Sequence, residues 1–171
     1  MLLIKKFVFL SVLSLLVCTL AAQKHTNQWY FGYQASLNFN SGTPQPQTNS
    51  AMNAWGGCSS IADSNGELLF YTNGSTVYDH SHNVMLNGNG LMGTSTYYNY
   101  GQSVIIVPRP GNPNVYYIFS ISRNNSNYND AIRYSTINTT LNSGKGSVIY
   151  RNSLLLEKTL DAKITATQHA N

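Results

Sequence analysis

The chain has 171 residues, a formal net charge of +4 and only 9% charged residues, against about a quarter in an ordinary soluble domain. Its Lys and Arg are scattered, with no run that could follow a phosphate backbone, so the pI near 9 reflects few charges of either sign and argues against nucleic acid as a partner. Abundant Asn, Ser, Thr, Gly and Tyr describe an exported all-β protein rich in turns rather than a cytosolic enzyme.

The first element is a leader. Lys5 and Lys6 precede an apolar stretch from Phe7 to Leu20, which ends in Ala21-Ala22. This is the three-part form of a secretory signal, and the run is shorter than the ~20 apolar residues of a membrane-spanning helix. Residues 1–22 are therefore expected to be removed, with cleavage after Ala22. Lipid anchoring at Cys18 competes with this reading, although Val17 stands where a small residue is usual. Processing leaves residues 23–171, with the formal charge reduced to about +2 by loss of the two leader lysines. Cys58 then remains as a single thiol with no basic neighbour in sequence, expected to act as a small buried residue.

Beyond residue 28 the chain reads as short β-rich runs. In order these are WYFGY, CSSIAD, ELLFYT, STVYDH, SVIIVPR, NVYYIFSIS, AIRYSTI, SVIYRNSLLL and KITATQHA. The joins are turns. DSNGE places Gly66 where a tight hairpin needs positive φ, TNGS carries the Asn-Gly pair of a type I′ hairpin, and PRPGNPN cannot sustain a ladder. Such short joins predict consecutive antiparallel meanders, because parallel pairing needs long crossovers.

The meanders repeat. CSSIADSNGELLFYTNGSTVYD and SVIIVPRPGNPNVYYIFSISR, continued by AIRYSTIN, share one order of strands and turns about 44 residues apart, and TATQHAN begins like a third unit. A period near 40 to 50 with three or four strands per unit predicts propeller blades. A two-sheet sandwich uses the same short strands and stays open as the alternative.

Taken in order, WYFG, LNFNSG, GCSSIADSNGELLFYTNGSTVYD, NVMLNGNGL, QSVIIVPRPGNPNVYYIFSI, IRYSTIN and KITATQHAN resemble the N-terminal propeller region of large secreted surface proteins of gliding, type IX-secreting bacteria. The resemblance spans about Gln28 to Asn171. It implies a WD40-like propeller, commonly followed by immunoglobulin-like or PKD-type modules and a C-terminal sorting domain, and it supplies no catalytic residues. Two blades and the beginning of a third do not close a ring. The expectation is thus an incomplete propeller over residues 23–171, from an N-terminal fragment, a truncated reading frame or a degraded gene copy, with WYFGY as a closing strand that lacks its blade.

Candidate chemistry is sparse. In a continuous strand His80 and His82 would share one face and Asp79 the other. Zinc would need a third protein ligand, and His25 and His169 lie far off in sequence, so a polar turn is the expectation. DSNG matches the start of a calcium loop but lacks the later ligands. The acids Asp63, Glu67, Asp79, Asp130, Glu157 and Asp161 mostly flank turns, and no nucleophile elbow or phosphate loop is present. GNGLMG reads as a loop. Tyr97, Tyr98 and Tyr100 offer rigid apolar area with polar tips, and are the candidate contacts for a glycan or a surface protein. No metal, cofactor or catalytic residue is expected. Two function classes follow: a non-catalytic cell-surface module from an adhesin-like or gliding-associated protein, or a fragment of a propeller-type carbohydrate-active or other hydrolytic enzyme whose active residues lie elsewhere.

Overall fold

A computed structural model describes residues 24–93, 101–123, 130–158, 160–161 and 163–167. The leader and the tyrosines at 97, 98 and 100 lie outside the described residues. All named elements are strands: β1 (Gln28–Phe31), β2 (Ala35–Asn38), β3 (Gln45–Gln47), β4 (Ser59–Ala62), β5 (Leu68–Thr72), β6 (Thr76–Asp79), β7 (Val84–Asn89), β8 (Val104–Pro108), β9 (Val115–Arg123), β10 (Asp130–Asn138) and β11 (Ser147–Lys158). Among the described residues no helix is long and apolar enough to cross a membrane.

The expected meanders form. β4 to β7 pair consecutively and antiparallel, as do β8 to β11, and β7 meets β11 in parallel at Leu86 and Ser147. The result is one eight-stranded sheet in the order β4-β5-β6-β7-β11-β10-β9-β8. Its ends return to each other, where Ile106 N–H donates to Ser59 Oγ at 3.1 Å and Gln102 Nε2 donates to Cys58 O at 2.7 Å. The sheet is nearly closed, and its two halves face one another across a shared core.

Turn chemistry fixes these hairpins. Between β4 and β5, Asp63 N–H donates to Glu67 O and Gly66, at φ +89°, takes the left-handed position. Between β5 and β6 the expected type I′ turn is corrected. Gly74 has positive φ but Asn73 does not, the pattern of a type II′ loop with Gly at its first central position. Asn73 stands outside that loop and caps it, its Oδ1 accepting from Ser75 N–H, Ser75 Oγ–H and Thr76 N–H. The segment from Pro108 to Val115 closes on itself through Arg109 N–H to Val115 O and Asn112 N–H to Arg109 O.

Period-two alternation then builds three layers. Phe70 points into the core between the two meanders, with Ile61, Val77 and Met85 from its own meander and Val104, Ile106, Tyr116, Ile118, Ile137 and Val148 from the other. Its neighbour Tyr71 points the opposite way and is equally buried, beneath Tyr30 and Met52. The cover is a separate three-stranded sheet, β1-β2-β3, with the chain that follows it. The first meander is thus buried on both faces, which explains why ELLFYT has no polar side.

Some strands were not legible as β runs. β2, β3 and β7 are short and rich in Asn, Gln or Gly, and Pro46 sits in β3 at the sheet edge, where a missing N–H donor is tolerated. KITATQHA, expected as a strand, carries no ladder over residues 163–167, and Ile164 N–H donates to Gln102 O at 2.8 Å.

Candidate functional site

The histidines do not share a face. β6 stops at Asp79, and residues 79–83 form a tight turn in which the buried Asp79 accepts from Ser81 N–H at 2.8 Å and Asn83 N–H at 3.0 Å through Oδ1. His82 takes a left-handed φ of +64°. This swings its ring away from the exposed His80 and against Tyr71 and Tyr30, with Nδ1 3.2 Å from the Tyr71 hydroxyl. That hydroxyl also accepts from Ala51 N–H at 3.1 Å. Burial lowers the His82 pKa, with the nearby Asp79 charge acting in the opposite direction. Among the described residues no three His, Cys, Asp or Glu side chains come together as a metal site.

DSNG is likewise a turn: Asp63 Oδ1 accepts from Asn65 N–H and Glu67 N–H, which occupies the carboxylate with local backbone. Cys58 is half-buried, and burial pushes its thiol pKa up against a hydrogen bond from the Gly32 backbone. Its environment therefore disfavours the reactive thiolate.

Sequence reasoning missed the concave feature of the N-terminal layer. A cleft of about 270 Å³ opens between β1 and β4, floored by Cys58, Ser59 and Ser60 and bounded by Trp29, Phe31 and Gln102. Its wall follows from alternation in QWYF. Gln28 and Tyr30 are buried, while Trp29 and Phe31 face outward at 51% and 37% exposure. One hydroxyl bonds to two backbone groups of β1 here: Ser60 Oγ–H donates to Gln28 O at 2.7 Å and Oγ accepts from Tyr30 N–H at 3.3 Å.

Trp29 is held in place without being covered. Its Nε1–H donates to Thr26 O at 2.7 Å and its ring meets Phe39 with centroids 4.9 Å apart. The same layer exposes Tyr33 and Trp55, and an antiparallel bridge pairs Tyr33 with Asn53. Among the described residues the cleft lining contains no charged side chain. An uncharged concavity with fixed aromatic rims can hold a neutral ligand by stacking and hydrogen bonding. The available signal was the alternation in QWYF, which leaves aromatic rings on both faces of a four-residue strand.

Comparison with protein-family models, with curated proteins and with solved structures finds no match.

Proposed function

We propose that the chain is an exported, non-catalytic interaction module whose β units belong to a propeller of the surface-protein type, with a glycan or a surface protein as partner. The carrying observation is the set of exposed aromatic side chains on the N-terminal layer, Trp29 and Phe31 beside the cleft together with Tyr33 and Trp55. Rigid aromatic area in solvent is the usual anchor of a binding surface.

The propeller reading is supported by register. Ile61 pairs with Phe70 in the first meander, and Ile105 pairs with Phe119 in the second, 44 residues after Ile61. The fourth strands of the two meanders meet in parallel, as units repeated by rotation do and as the strands of a simple up-and-down barrel do not. The face of the second meander that corresponds to the core face of the first points outward. It carries Tyr117, Phe119 and Tyr134 in mutual ring contact, all partly exposed. A further β unit packed there would repeat the contact already made once.

The test is a binding assay with the full chain immobilised against polysaccharides and bacterial surface proteins, run beside a hydrolysis assay on the same glycans. Saturable retention without product supports the reading, and turnover or a lack of any retention overturns it. Fractionation of cells expressing the full chain tests export: a chain recovered only from the cytosol removes that part.

A further inference from the structure

We infer that the cleft between β1 and β4 is a subsite for one neutral hexopyranose unit, stacked on Trp29; this rests on the proposed binding role and gives it a ligand class. Size comes first. About 270 Å³ is just below the range of pockets that enclose drug-sized ligands, so it suits a single ring rather than a folded peptide segment. Charge comes next. The uncharged lining offers nothing to pair with a phosphate, a carboxylate or an ammonium group, and a charged ligand would lose hydration there without compensation.

The hydrogen-bonding groups that remain are complementary to hydroxyls. Gln102 spends its Nε2 donors on Cys58 O and Val104 O, and its Oε1 has no protein partner among the described residues. Ser59 Oγ accepts from Ile106 N–H, which leaves its own O–H as a donor. One acceptor and one donor on the cleft wall match a pair of neighbouring sugar hydroxyls, each of which can give or take a hydrogen bond. Trp29 supplies the apolar platform, already oriented by Thr26 and Phe39. Preorganisation of this kind limits the ordering cost of binding.

The experiment is a titration of the full chain with methyl glucoside, methyl galactoside and methyl mannoside, read by the indole N–H resonances of Trp29 and Trp55. A small ligand of this size is expected to bind with Kd near ~1 mM. At least one glycoside is expected to shift Trp29 saturably and leave Trp55 unmoved. Trp29→Ala is expected to weaken that binding at least about tenfold, the loss of a stacked ring and its desolvated contact, and Trp29→Phe to restore most of it. Bound glycoside is also expected to slow alkylation of Cys58, a readout independent of any variant's folding. A Trp29 signal unmoved by all three glycosides, or binding retained in Trp29→Ala, overturns the inference. Binding abolished instead by replacing Tyr97, Tyr98 and Tyr100 with Ala would overturn it while leaving the interaction role intact, as would retention of a surface protein that the glycosides do not compete. Failure of the full chain to retain any glycan or protein overturns the role itself.

Discussion

Phe70 and Phe119 hold the same place in successive meanders, each paired across the ladder with an isoleucine, Ile61 or Ile105, yet Phe70 is completely buried and Phe119 is partly exposed. The difference lies in what covers each face. Phe70→Ala is expected to cost about 3–5 kcal/mol through the transfer and cavity terms of a core aromatic. Phe119→Ala is expected to cost less, about 1–2 kcal/mol, because part of that ring is already in water. Urea denaturation of the two variants compares them, and equal losses would show that the outward face is covered in solution.

Ser60 helps fasten the N-terminal sheet to the first meander, its hydroxyl bonded to both Gln28 O and Tyr30 N–H. Ser60→Ala leaves two backbone groups without that partner, a loss of about 1–2 kcal/mol. Hydrogen exchange at the Tyr30 amide is expected to accelerate about tenfold or more, while the amides of β9 and β10 keep their rates. Uniform acceleration across both meanders would mean that the N-terminal sheet does not open separately.

Asn73 carries the turn between β5 and β6 by accepting three hydrogen bonds on one oxygen and donating to Asn53 O through Nδ2. Asn73→Ala is expected to lower stability by about 1–3 kcal/mol, the range for buried donors left unsatisfied. Asn73→Asp keeps the acceptor and loses only the link to Asn53, so it is expected to fall between the wild type and Asn73→Ala. A shift in denaturation midpoint too small to measure for Asn73→Ala would contradict the capping role.

His82 should make stability depend on pH. Burial lowers its pKa in the folded chain, so the unfolded chain takes up a proton first as pH falls below about 6.5. Stability from this group is therefore complete above about 6.5 and declines as pH drops through the window down to the lowered folded value. His82→Asn keeps a residue that tolerates positive φ and removes the titration. Its melting temperature is expected to fall less than that of the wild type between pH 7.5 and pH 5, and parallel profiles would place the dependence on other groups.

Cys58 is expected to react slowly with a thiolate-directed reagent at about pH 8, because burial raises its pKa and keeps the thiol protonated. Denaturant should raise the rate toward that of a free thiol. Rapid reaction in the native state would show that the floor of the cleft is open.

Local pattern was enough to name the β class, the hairpin joins and the two successive meanders, because Asn-Gly, Asp-Ser-Asn-Gly and the proline segment each specify a turn by steric and hydrogen-bonding rules that act within a few residues. The Asp79 turn was legible for the same reason. Hairpin type at Asn73 was not, since Asn-Gly fits two related turns and the flanking ladder register chooses between them. The strands β2, β3 and β7 escaped because polar residues become strands there by pairing with neighbours already in place.

The site depended on tertiary structure more completely. Alternation in QWYF shows that Trp29 and Phe31 lie on one side of a strand and Tyr30 on the other, but it does not say which side is covered. Tyr30 is buried because Tyr71, 41 residues later in the chain, stacks on it with ring centroids 4.4 Å apart. Trp29 stays exposed because no element among the described residues packs over its outer face, and Gln102 reaches Cys58 only because the nearly closed sheet brings β8 back to β4. Sequence by itself determined where the chain turns and which residues alternate, since those follow from short-range sterics. The long-range pairing of strands decided which faces meet, and with that which aromatic rings became core and which were left for a ligand.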